Sequence, residues 1–168
     1  MDRGKNELCL ACGLCCQGYL HSKAALGDME RSRAEMLNME ISEKKGKFFF
    51  VLPCPHHRRN FCTIYEDRFN VCRRYECALL EKWSCGEVSW DSALETIETL
   101  RARFQQIKSK SPVPLPSLTI KSLSDVVRQI KEDPESPGIR EEHREFLLDY
   151  TILKLSIDRF FYPPSKGS

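Results

Sequence analysis

The chemistry of this chain is concentrated in sulfur. Nine of its 168 residues are cysteines, Cys9, Cys12, Cys15, Cys16, Cys54, Cys62, Cys72, Cys77 and Cys85, and none follows Cys85. The first group, Cys9-Leu-Ala-Cys12-Gly-Leu-Cys15-Cys16, suits two metal chemistries. Cys9-x-x-Cys12-Gly13 has the spacing of a zinc knuckle: two thiolates leave one tight turn toward a tetrahedral ion, and glycine allows a left-handed backbone beside it. Cys9, Cys12 and Cys15 equally match the first three positions of the C-x2-C-x2-C run that wraps an iron–sulfur cluster, whose fourth thiolate comes from elsewhere. Cys16 fits neither pattern, because neighbouring side chains diverge, and is expected to serve a second metal or bridge two. The second group, Cys54, Cys62, Cys72 and Cys77, has seven, nine and four intervening residues, too irregular for one zinc ribbon. Four plus four thiols suffice for two tetrahedral sites or for one larger cluster.

Metal-bound thiolates carry charge that the surroundings must answer. Residues 54 to 77 hold Arg58, Arg59, Arg68, Arg73 and Arg74 against Glu66, Asp67 and Glu76, a local excess of +2. Arg73, next to Cys72, is the expected hydrogen-bond donor to thiolate sulfur; the alternative is that these arginines are solvated or paired with nearby acids. His56 and His57 follow Cys54 closely enough to be imidazole ligands. With eight thiols available, they are expected beside the centre or exposed. Cys85 completes no spacing and reads as a spare thiol; His21 and His143 carry no signal. Structural zinc contributes about 10–16 kcal/mol to folding, against a typical net domain stability of about 5–15 kcal/mol. If metal binds, the cysteine half depends on it.

The elements that must position these residues are short. Asp28 to Met39 is rich in helix formers, with Met29, Met36 and Met39 placed to share a face. Glu43 to Lys47 reads as a charged turn. Phe48 to Leu52 reads as a buried strand ended by Pro53 and Pro55, placed to bring the two cysteine groups together. Beyond residue 86 the pattern changes. A helix runs from Ser89 or Ser92, the latter in capping-box spacing with Glu95, to about Lys108. Its apolar stripe is Trp90, Leu94, Ile97, Leu100 or Arg101, Phe104 and Ile107. Ser111 to Ser117 is a proline-stiffened connector. Ser122 to Lys131 is a shorter helix with Leu123, Val126, Val127 and Ile130 on one side. Asp133 to Gly138 is a loop. Residues 139 to 161 form a long helix with Phe146, Leu147, Tyr150, Leu153, Ile157 and Phe161, ended by Pro163 and Pro164.

Composition limits the remaining classes. Apolar content of 41% with 30% charge excludes global disorder. A net charge of +2 is far from that of a dedicated nucleic-acid binder, so no nucleic acid is expected. No apolar run approaches the roughly 20 residues of a membrane span, so no membrane is expected. The opening residues show no apolar signal core, and the expectation is a reducing cytoplasm, where clustered cysteines hold metal or do redox chemistry.

Cys9-x-x-Cys12-Gly-x-Cys15-Cys16-x-Gly18, followed by Cys62-Thr-Ile-Tyr-Glu-Asp-Arg68 and Val71-Cys72-Arg73, resembles the CxxCxxCC, or YkgJ-type, cysteine-cluster family. These are described as zinc- or iron-chelating domains, and the family includes the flagellin lysine N-methylase. The resemblance covers about residues 9 to 77 and implies ligands among Cys9, Cys12, Cys15, Cys16, Cys54, Cys62 and Cys72. Cys77 falls where members vary. One departure stands out: the family usually has proline after the Glu-Asp-Arg, and here that place is Phe69, so a backbone angle that proline would fix is left to other forces.

The expected fold is mainly α with little β. A small irregular metal-organised cysteine region, residues 1–86, packs with about three amphipathic helices in residues 87–168. The expected function is metal binding through a zinc or iron–sulfur centre (a 4Fe-4S cluster in one form), with a protein partner met through the helical region. The alternative is an enzyme using such a centre in methyl transfer to protein lysine or in redox chemistry. Against it, no phosphate cradle, acid/base pair or S-adenosylmethionine motif is visible.

Overall fold

Lys45 and Gly46 both have positive φ, +53° and +72°, the backbone of the two-residue hairpin turn that matches strand twist. They join β2 (Ile41–Lys44) to β3 (Lys47–Val51), with Lys44 opposite Lys47. The expected charged turn and apolar strand are therefore one hairpin. β3 is the middle of a three-stranded antiparallel sheet in the order β1-β3-β2, where β1 is Lys23–Ala25. Phe50 lies between Ala24 on one side and Ile41 on the other. Burial alternates along this strand: Phe50 and the following Leu52 are buried, whereas Phe48 and Phe49 are half-buried under the cations of Arg31 and Lys23. The computed structural model describes residues 4–59, 61–132, 141 and 143–162. The Asp133–Gly138 loop and the Pro163–Pro164 stop fall outside the described residues.

The chain divides into two compact units, Met1–Glu76 and Cys77–Ser168. This boundary lies before the one suggested by cysteine content, because α4 (Ala78–Ser84) buries Ala78, Leu79 and Leu80 with the helices that follow. Among the described residues 51% are helix and 11% strand, so the fold is mainly α with small sheets only.

In the first unit, α1 (Lys5–Cys12) precedes the sheet and α2 (Arg31–Met36) interrupts it. Ala34, Met39, Phe50, Leu52 and Phe69 form the core. The expected methionine stripe does not form: Met29 is 96% and Met36 83% exposed, and Met39 alone is buried. The helix is only six residues long, and the chain leaves it through Asn38 at φ +52°, with Met39 N–H donating to Ala34 O. A left-handed turn, rather than helical periodicity, delivers Met39 to the core. β4 (His57–Arg58) and β5 (Phe61–Cys62) make a second small hairpin, and α3 (Asn70–Arg74) closes the unit.

Phe69 occupies the position where proline was expected. It stands at the N-cap of α3 with φ −59°, close to the angle that a proline ring imposes. Its own ring is 1% exposed and lies 5.2 Å from that of Phe50. Packing therefore sets the dihedral that ring closure would otherwise fix. Glu30 secures the same place from outside: its carboxylate accepts from Asn70 N–H at 2.8 Å and from Gly27 N–H at 2.8 Å.

In the second unit α5 (Trp90–Ser109) is capped by Ser89, whose hydroxyl accepts from Ser92 N–H, so Ser92 is a partner of the cap instead of the cap itself. Ala93, Ile97, Leu100, Phe104 and Ile107 are its buried face. α6 (Ile120–Glu132) begins before Ser122, because buried Thr119 accepts from Ser122 N–H. α7 (Arg144–Phe160) buries Phe146, Leu153 and Ile157, and Phe161 beyond its end is buried too. Lys110 after α5 pairs with Asp149 on α7 at 2.9 Å. Leu148, Ile152 and Leu155 share an exposed face of α7. Among the described residues no helix is long and apolar enough to cross a membrane.

Glu30→Ala removes a charged acceptor from two backbone amides. It is expected to cost about 1–2 kcal/mol, read as a lower denaturant midpoint at unchanged slope.

Candidate metal centre

α1 carries Cys9 and Cys12 and stops at Gly13, whose φ of +58° lets its N–H return to Cys9 O at 3.1 Å. The chain then winds through a tight turn, with Gln17 N–H bonded to Gly13 O, Gly18 N–H to Cys15 O and Tyr19 N–H to Leu14 O. Leu14, fully buried, anchors this turn and leaves Cys15 and Cys16 on its surface. The sheet brings the second cysteine group to the first. β1 follows the Cys15–Cys16 turn, β3 pairs with it, and three residues later Cys54 N–H donates to Cys16 O at 2.7 Å.

The second group is held by three local devices. His57 N–H closes a turn onto Cys54 O at 3.1 Å, and the amides of His56 and His57 also donate to the Cys54 sulfur. The β4–β5 pairing sets Cys62 opposite His57. α3, started by Phe69, carries Cys72. The result is a cavity of about 240 Å³ walled by six thiols, Cys9, Cys15, Cys16, Cys54, Cys62 and Cys72, together with Gly13, His21, His57, Tyr65 and Arg68 and an apolar side that includes Phe50, Leu52 and Phe69. Cys12, the last residue of α1, is not on this wall. Cys77 begins the second unit as the N-cap of α4. Cys85 is exposed and hydrogen-bonds locally to Lys82 O and Glu87.

The thiols resist ionisation as they stand. Burial pushes Cys72 up to about 12, and the nearby sulfurs of Cys54, Cys62 and Cys9 push in the same direction. Cys16 is raised still more strongly, first by burial and then by Cys54, Cys72, Cys9 and Cys62. Cys54 is raised by burial against the pull of its two amide donors. Cys9 leaves part of its surface open, yet it too is raised by burial, with Arg68 opposing. Five sulfurs thus share one electrostatic neighbourhood. Cys9, Cys16, Cys54 and Cys72 hold their protons more tightly than free thiols do, and soft thiolate-rich sites favour zinc or iron. The donor set therefore fits such a metal. Among the described residues, no three Cys, His, Asp or Glu side chains stand close enough around one point to hold an ion in place. The sulfurs ring a space instead.

A model of one protein family matches residues 8–102, more than half of the chain. The chain belongs to the CxxCxxCC family. That family is described as a "putative zinc- or iron-chelating domain". The match runs past the first unit into α5. Neither the comparison with curated proteins nor that with solved structures finds a match.

Within this CxxCxxCC chain Arg68 acts electrostatically on the sulfurs of Cys9 and Cys72. The Arg73 guanidinium is committed to backbone, donating to Arg68 O at 3.0 Å and to Glu66 O. Arg73 holds the turn from which Arg68 reaches the cavity, where Arg68 lies 4.1 Å from the centre of the Tyr65 ring and favours the thiolates of Cys9 and Cys72. The signal for Arg68 was present in the Cys62-to-Arg68 motif. The two histidines also separate. His56 is tied to Thr63 Oγ1 at 3.3 Å and Leu37 O at 3.0 Å, while His57 is on the cavity wall. His21, unremarked in the sequence, lines the cavity as well, edge-on to Tyr75.

Two outcomes follow. A Cβ at position 13 would stand 2.5 Å from Nε2 of His57, at a φ that L residues avoid. Gly13→Ala is expected to destabilise the protein by at least about 1 kcal/mol, checked by denaturant unfolding. In metal-free protein the raised thiols mean that the folded state holds protons the unfolded state releases. Their contribution is full below the ordinary value of 9.0 and falls as pH rises toward about 12. Unfolding midpoints of apoprotein should therefore drop between neutral pH and about pH 10.5, whereas a metal held by thiolates makes stability fall on acidification.

Proposed function

We propose that this chain is a cytoplasmic iron-binding protein whose first unit holds an iron–sulfur cluster through thiolates drawn from both cysteine groups. The observation that carries this reading is that six cysteines from both groups line one cavity of about 240 Å³. Zinc–sulfur bonds of about 2.3 Å require four sulfurs within about 3.8 Å of one another, which leaves no space between them. A polynuclear centre has volume of its own, and its sulfide ions share the coordination, so ligands can stand further apart. Cys9, Cys16, Cys54, Cys62 and Cys72, the five that influence one another electrostatically, are the proposed donor pool, with Cys15 at the wall. When bound, such a cluster supplies one-electron chemistry and structural cross-linking.

The protein's own contribution is positioning. The turn after Gly13 aims Cys15 and Cys16, the amides of His56 and His57 stabilise the Cys54 thiolate, and Arg68 offsets part of the charge. The apolar side of the cavity limits water, which favours a retained cluster over an exchangeable ion.

The test is anaerobic purification of the full chain with iron, zinc and acid-labile sulfide counted and the visible spectrum recorded. Brown protein with iron and sulfide in equal amounts is expected, and Cys16→Ser or Cys72→Ser should lower the iron content several-fold. Colourless protein with stoichiometric zinc and no sulfide overturns the reading.

A further inference from the structure

We infer that the imidazole of His57 is a nitrogen ligand of the centre, which is therefore a mixed sulfur–nitrogen site and not an all-cysteine one. This rests on reading the cavity as a metal centre. Cys54-Pro-His-His57 has two intervening residues, a spacing at which one turn can send two donors toward one ion. The turn is formed: His57 N–H meets Cys54 O at 3.1 Å, and the Cys54 sulfur accepts from the same amide. Strand pairing places His57 opposite Cys62, so it sits between two thiol-bearing positions. Its ring lies over the Cα of Gly13, in the space a Cβ would fill, and on the cavity wall. Segments bearing Cys54, Cys62 and the first cysteine group thus converge on this one ring.

Charge gives the reason for nitrogen. Each added thiolate brings a negative charge into a cavity that six cysteines already line, beside the cationic side chains of Lys23 and Arg68. A neutral imidazole donates a lone pair without adding charge. The other histidines are placed differently: both ring nitrogens of His56 are engaged by Leu37 and Thr63, and His21 packs edge-on to Tyr75. Histidine in place of cysteine also raises the reduction potential of a cluster.

X-ray absorption at the edge of the copurifying metal, iron or zinc, separates nitrogen at about 2.0–2.1 Å from sulfur at about 2.3 Å. The wild-type full chain should show one short nitrogen shell with imidazole outer scattering. His57→Cys should keep its metal, lose that shell and, if the metal is an iron–sulfur cluster, titrate at a more negative potential. His57→Ala should lose metal to a chelator more readily than the roughly 10–100-fold loss that removing an outer hydrogen-bond partner brings. Metal-loaded wild type with a sulfur-only shell overturns the inference and leaves the metal reading standing, as does His57→Ala with unchanged metal content and spectrum. Wild type isolated without iron or zinc overturns both.

Discussion

The first unit is organised around a conflict between burial and charge. Burial raises the proton affinity of Cys9, Cys16, Cys54 and Cys72, and neighbouring sulfurs add to it. Such a group has two stable conditions, protons on every sulfur or a cation among them. The backbone is built for the second. Amides point at Cys54, an arginine faces Cys9 and Cys72, and a hydrogen bond from Cys54 to Cys16 joins the two stretches that supply the sulfur. None of these devices is needed to keep neutral thiols in a core, where cysteine behaves as a small apolar side chain.

Much of the architecture was legible because it rests on local rules. The positive-φ turn at Lys45-Gly46, the strand after it, the proline-stiffened connector and the buried face of α5 all follow from residue type and period. The readings that failed needed a partner distant in sequence. Three methionines at plausible helical spacing could not reveal that the helix ends at Met36 and that a left-handed Asn38 supplies the third. Nor could a sequence pattern reveal that the carbonyls of Glu66 and Arg68 accept from Arg73.

The site was legible in composition and less so in membership. That cysteines from both groups meet was readable from a strand lying between them. Which ones meet depends on the Gly13 reversal, which carries the chain from Cys12 to Cys15 and Cys16, and on a hairpin register that sets His57 beside Cys62. A period read along the chain does not contain either fact.

Phe69 shows how this chain sets a backbone angle near that of proline without a proline. A proline there would fix the angle within its own ring, whatever happened around it. Here the angle is guaranteed by an aromatic side chain set against Phe50, so the start of α3, and with it Cys72, inherits the fate of the interior. Solvent or heat that loosens that interior slackens the placement of Cys72 in the same event. Its oily middle and its sulfur mouth therefore respond together.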